Sequence, residues 1–111
     1  MIEQTIKIAA LYDFYGVLLT ERQQKCIEMH YLDDFSLAEV AEQLEVSRQA
    51  VHDILKRSVQ AMQELEQKLG LVRKYQEEEK LLIEIDGLLK EVESQNPTLS
   101  QVREKIRQLL S

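Results

Sequence analysis

The sequence predicts an all-α protein, and three observations carry that expectation. Only three Gly and one Pro occur in 111 residues, which leaves little material for the tight turns of a β-protein, while the abundant Leu, Glu, Gln and Lys favour helix. Apolar residues recur three and four positions apart along most of the chain, a spacing that gathers them on one side of a helix. Ser or Thr stands three positions before Gln or Glu at Thr20 and Gln23, Ser36 and Glu39, and Thr98 and Gln101. In such a pair each side chain satisfies a free backbone donor at the start of a helix. Six helices are expected, in a domain over residues 1–70 and a helical tail over residues 71–111, since a chain of this length holds one core and an appendage.

The first helix runs from Ile2 through Ile6, Ala9, Ala10, Phe14, Val17 and Leu18, and ends near Gly16 to Leu19. Thr20 with Gln23 opens the second, whose inner face is Cys26, Ile27, Met29, His30 and Tyr31. Asp33 and Asp34 close it as a polar loop. Ser36 with Glu39 opens a short third helix on Leu37, Val40, Ala41 and Leu44. Ser47 then caps a fourth, with Val46 and Val51 placed to close over the turn as a hydrophobic staple. Its apolar series is Val51, Leu55, Ser58, Met62, Leu65 and Leu69, with Ile54 beside it. Gly70 reads either as the cap that ends this helix or as a residue inside one continuous rod, because Gly within a helix costs only about 1 kcal/mol relative to Ala. A second seam follows at Leu71, Tyr75, Leu82, Ile85, Leu89 and Val92, interrupted by charges from Glu77 to Lys80. Asn96 and Pro97 break it, and Thr98 with Gln101 opens a last amphipathic helix through Leu99, Val102, Ile106, Leu109 and Leu110.

Charge narrows the functional classes. Fourteen Lys and Arg against twenty Asp and Glu leave a net charge of -6, so diffuse attraction to phosphates is absent and any nucleic-acid contact must be local. Residues 1–70 hold seven basic against twelve acidic side chains and residues 71–111 seven against eight. Neither part is basic. The start of the chain lacks the pattern of a secretory signal, and no stretch is apolar over the length of a bilayer, so membrane insertion is not expected. The single Cys26 suits a reducing cytoplasm, the expected location. Cys26 and His30 are four apart, yet no second pair of ligands follows, and Cys26 is read as core. With no Gly-rich phosphate loop and no nucleophile flanked by a base, neither enzyme, metal nor cofactor is expected.

What remains is a short capped helix, a turn of a few residues and a longer capped helix, the plan of a helix-turn-helix. Such a turn sets the second helix across the first, with its N-terminal residues projecting outward. With Val51, Ile54, Leu55 and Ser58 facing inward, Arg48, Gln49, His52, Asp53 and Lys56 form the outer face, with Arg57 beside it. Arg48 and Gln49 suit base edges, His52 a base or a phosphate, and Lys56 and Arg57 phosphates. Residues 47–57 carry three basic side chains and one acid, a basic spot on an acidic chain. Ser47 and Arg22, each at a helix start where backbone donors and a guanidinium suit a phosphate, complete the candidate nucleic-acid-binding set.

The stretches Leu19-Thr20-Glu21-Arg22-Gln23, Tyr31-Leu32, Ser36-Leu37-Ala38-Glu39-Val40-Ala41, Leu44, Val46-Ser47-Arg48-Gln49-Ala50-Val51 and Lys56-Arg57 resemble the fourth conserved region of bacterial sigma factors, a promoter-binding module. That resemblance covers about half the chain and no other sigma region is present. Over its whole length, with the leading Ile6 to Leu19 helix carrying Tyr12 and Tyr15 and an acidic helical tail, the chain resembles the YlxM family of small bacterial helix-turn-helix proteins. The resemblance implies a sigma-region-four-like helix-turn-helix with a leading helix and a C-terminal helical hairpin. It also implies a role accessory to the signal recognition particle pathway, a link that rests on neighbouring genes.

The expected function is therefore a regulatory protein binding DNA or a structured RNA, working as a homodimer through the helices of residues 71–110, with signal recognition particle components as partners implied by the resemblance. The alternative is an acidic helical adaptor that binds protein partners and no longer binds nucleic acid.

Overall fold

The computed structural model describes residues 2–111 and is all-helical in its regular elements. In chain order these are α1 (Ile2–Tyr15), a 3-10 turn (Gly16–Leu18), α2 (Glu21–Ile27) running on as a π-helical turn (Glu28–Leu32), α3 (Leu37–Leu44), α4 (Arg48–Leu69), α5 (Leu71–Val92), a 3-10 turn (Glu93–Gln95) and α6 (Thr98–Leu110). None of the described helices is long and apolar enough to cross a membrane.

The chain divides into two compact units, one ending at Val72 and the other Arg73–Ser111. The first holds a single core. Tyr15, Ile27, Met62, Val40, Val51 and Cys26 are its largest fully buried side chains, each contributing about 1.5–3 kcal/mol by leaving water if it is a large apolar group. The seam on α4 appears as expected over its first four turns, where Val51, Leu55, Ser58 and Met62 are buried. Ser58 tolerates that position because its hydroxyl donates to the Ile54 carbonyl at 2.6 Å. Burial pushes the Cys26 thiol up, partly offset by the charge of Arg22.

The buried face of α1 agrees only in part with its apolar rhythm: Ala10 and Phe14 of that series pack partly buried against the core, but the fully buried positions are others. Ile8, Leu11 and Tyr15 are buried, while Ile6, Val17 and Leu18 are 63%, 82% and 64% exposed. Apolar residues lie on several sides of this helix, so its periodicity alone selects no face. The selecting interaction is distant in sequence: the buried Tyr15 hydroxyl donates to Glu66 Oε1 at 2.6 Å on α4. The same hydroxyl accepts from the Leu71 amide at 3.3 Å, and Glu66 Oε1 accepts from the Val72 amide at 3.0 Å. Gly70, in the left-handed region at φ 62°, ends α4 rather than continuing it. The first donors of α5 are thus satisfied by Tyr15 and Glu66 in place of a local cap.

In the second unit the heptad seam on α5 is not a buried core. Tyr75, Ile85 and Val92 are exposed, and so are Leu81 and Leu88 beside them. Ile106 and Arg103 are buried, and the guanidinium of Arg103 binds Asp86 Oδ1 at 2.9 Å and Glu93 Oε2 at 2.5 Å. One cation therefore joins α5, the turn after it and α6. The Arg103 guanidinium, followed by nearby Arg107 and Lys90, holds the Asp86 carboxyl below its usual range.

Thr98 is not the N-cap of α6. It lies inside the helix, and its amide is capped by Asn96 Oδ1 at 3.1 Å, while Asn96 is extended at φ -149° and Pro97 is already helical at φ -58°. Asn before a Pro at the first helical position is the stronger local signal. Pro has no amide to satisfy there, and the short Asn side chain reaches the next free donor.

Candidate nucleic-acid interface

The interface is built from two caps and the turn between them. Ser36 and Glu39 form the reciprocal box that starts α3, with Ser36 Oγ accepting from the Glu39 amide at 3.1 Å and Glu39 Oε1 from the Ser36 amide at 3.0 Å. Those bonds hold the Glu39 carboxyl below its ordinary value. α3 ends in a paired-bond C-cap: the Val46 amide donates to the Ala41 carbonyl at 3.0 Å and the Glu45 amide to the Glu42 carbonyl at 3.4 Å. That geometry requires Glu45 in the left-handed region, at φ 56° and ψ 44°. Two residues later Ser47 Oγ accepts from the Ala50 amide at 3.0 Å and starts α4. The chain reverses over Glu45, Val46 and Ser47 alone, and Val40 and Ala41 of α3 share one core with Val51 and Leu55 of α4.

Burial of Val51, Leu55 and Ser58 leaves Arg48, Gln49, His52, Asp53, Lys56 and Arg57 exposed on the opposite side of the first turns of α4. Six of the seven sequence-derived candidates, Ser47, Arg48, Gln49, His52, Lys56 and Arg57, thus come together on one helix and its cap. Arg22 belongs to the first turn of α2, and its charge acts on Cys26 of its own helix. Ser47 serves as a cap, with its hydroxyl engaged by the Ala50 amide.

Asp53 sits within this face and engages two of the candidates. Gln49 Nε2 donates to Asp53 Oδ1 at 3.0 Å, and His52 Nδ1 lies 3.6 Å from the same oxygen. Both contacts are exposed and exchangeable with water or a ligand. Arg48, Lys56 and Arg57 make no ion pair among the described residues. Their charge is therefore neutralised by no protein carboxylate in direct contact, the condition under which a cation is available to a phosphate. In the sequence, the i, i+4 spacing of Gln49 and Asp53 is the signal for the first of these contacts.

The family model described as "Putative helix-turn-helix protein, YlxM / p13 like" matches residues 2–106 of this chain. Among curated relatives, the UPF0122 protein of Bacillus mycoides strain KBAB4 is 44% identical over 109 residues, spanning 98% of this chain and 99% of the relative. The UPF0122 proteins of Bacillus cereus strain AH187 and Bacillus anthracis strain A0248 are each 43% identical over the same span and coverage.

Proposed function

We propose, from the premise that this chain belongs to the YlxM/p13-like family of helix-turn-helix proteins, that it is a regulatory protein that binds nucleic acid through the outer face of α4. The observation that carries this reading is the set of three exposed cations, Arg48, Lys56 and Arg57, without carboxylate partners on a chain of net charge -6. On an acidic protein, three unpaired cations gathered over residues 48–57, at the start of the helix that follows the turn, have a use when a polyanion meets them there. Arg48 and Gln49, nearest the N-terminus of α4, read base edges in this proposal. Lys56 and Arg57 hold phosphates, and His52 serves either role. Arg22 and the Ser47 cap extend the contact to backbone phosphates. The role is binding rather than catalysis, exercised in the cytoplasm.

The amount of positive charge sets the expected strength. Three phosphate contacts give a slope of about -3 in log affinity against log salt on duplex DNA. Arg48→Ala with Lys56→Ala removes the Lys56 phosphate contact and should bring it to about -2, since Arg48 is assigned to base edges. Absence of binding to duplex DNA and to structured RNA at low salt would remove this reading.

Pairing of two chains would double so small a basic surface, and we assign it to residues 71–110. Its support is the row Leu81, Ile85, Leu88 and Val92, spaced four, three and four apart on α5 and each more than two-fifths exposed. Sedimentation at tens of micromolar should show a dimer, and a monomer there would refute the assignment. The acidic surface and the same apolar row favour a second reading, an adaptor for a basic protein partner such as a signal recognition particle component. In that case capture of particle components survives Arg48→Ala with Lys56→Ala and fails when residues after Gly70 are deleted. The link to that pathway rests on the family resemblance.

A further inference from the structure

An open groove of about 640 Å³ runs beside the first turns of α4, within the unit that ends at Val72. Its apolar wall is Leu37, Leu55 and Val59, and both histidines of the chain, His30 and His52, line it with Tyr31. Three carboxamides, Gln4, Gln60 and Gln63, and the ammonium of Lys56 supply its polar groups. None of the described residues lining it is an acid, although the chain carries twenty. Asp53 meets His52 and Glu64 meets Gln60, but neither carboxylate lines the groove.

The π-helical turn creates this arrangement. The extra residue in the turn Glu28–Leu32 lets His30 Nδ1 bond the Phe35 carbonyl at 2.7 Å. A carbonyl only accepts, so the ring proton is on Nδ1. The His30 and Tyr31 rings then meet edge to face, with centroids 4.9 Å apart. π-turns of this kind recur at binding sites because they displace one side chain from the helical register.

We infer that this groove takes one nucleoside phosphate, either free or as an unpaired nucleotide of a strand held on α4. The chemistry converges on that class. Aromatic rings beside an apolar wall suit the faces of a base, and carboxamides pair with the donor and acceptor edges of bases. Lys56 provides the phosphate cation, and the volume lies within the range of small-ligand sites. The inference rests on the proposed nucleic-acid reading for Lys56 and His52 and adds to it a site for an unstacked base, which a rigid duplex does not present.

The test uses the full chain with the four nucleoside 5′-monophosphates, a duplex, and the same duplex carrying one bulged nucleotide, followed by amide chemical shifts and fluorescence anisotropy. The variant Gln60→Ala with Gln63→Ala removes two carboxamides from exposed helical positions without changing charge, so generic attraction to phosphates is unaffected. Free-nucleotide binding predicts saturable shifts around Tyr31, Leu55 and Val59 and about a tenfold loss in the variant, the effect of two net hydrogen bonds. Strand binding predicts tighter binding of the bulged than the perfect duplex, with that difference lost in the variant. If neither the monophosphates nor the bulge responds to the variant, the groove is not a nucleotide site, whatever the duplex does. Failure of duplex binding with monophosphate shifts intact would instead overturn the α4 reading and leave the groove.

Discussion

Replacing Glu45 by Gly should stabilise the unit ending at Val72 by about 1 kcal/mol, through the turn that sets α4 against α3. Glu45 occupies the left-handed region at φ 56° and ψ 44°, where the Cβ of an L-residue crowds the following carbonyl at a cost of about 1–2 kcal/mol. Gly lacks that Cβ but loses more backbone freedom on folding, which offsets about 0.5–1 kcal/mol. A further few tenths come from removing an exposed negative charge at the C-terminus of α3, where the helix dipole is also negative. The sum is about 1 kcal/mol, equivalent to roughly 4–8 °C in Tm for a unit of this size. Thermal and urea melts followed by helical circular dichroism measure it, with Glu45→Ala as the control. Ala relieves the charge and keeps the Cβ, so it should gain no more than a few tenths of a kcal/mol. A Gly variant no more stable than the Ala variant would show that the turn stores no conformational strain and would refute the reasoning.

Three further outcomes follow from the packing. Gly16→Ala should destabilise the first unit by about 1–2 kcal/mol, because a Cβ there falls 2.7 Å from the Tyr12 ring; an unchanged urea midpoint would mean that the ring yields freely. Asn96→Ala should cost about 1 kcal/mol and speed hydrogen exchange in the first turn of α6, while Thr98→Ala stays within about 0.5 kcal/mol; the reverse order would restore Thr98 as the cap. Arg103 holds the Asp86 carboxyl below its ordinary value in the folded chain, so the folded state binds that proton less readily than the unfolded state. The contribution is therefore present above the ordinary carboxylate range and is lost as pH falls through the folded value. Acid titration of the Arg73–Ser111 helices should show that loss, and Asp86→Asn should flatten it.

The helix-turn-helix was legible because its determinants are local. Ser36 and Glu39 are three residues apart, Ser47 and Ala50 likewise, and the apolar face of α4 repeats within a turn, so the first turns expose the side chains that the pattern assigns to solvent. Glu45 was not legible, since nothing marks a Glu as left-handed until the bonds to Ala41 and Glu42 require it. At Asn96, Pro97 and Thr98 two local signals competed. Asn-Pro prevailed because Pro fits the first helical position and leaves the Asn side chain the next free amide.

By itself the sequence determined the helices, three of their caps, the division between the face of α4 that packs and the face that meets solvent, and the family. These depend on interactions spanning four residues or fewer and on a pattern shared with relatives over nearly the whole chain. Tertiary structure alone decided which face of α1 is buried, that Gly70 ends α4, and that Arg103 is buried between Asp86 and Glu93. Each of those outcomes depends on partners that short-range periodicity does not register: Tyr15 finds Glu66 across 51 positions, and Arg103 reaches Asp86 across 17. The groove beside α4 has the same origin, since only folding brings His30, on the turn after α2, to one surface with His52 and Lys56.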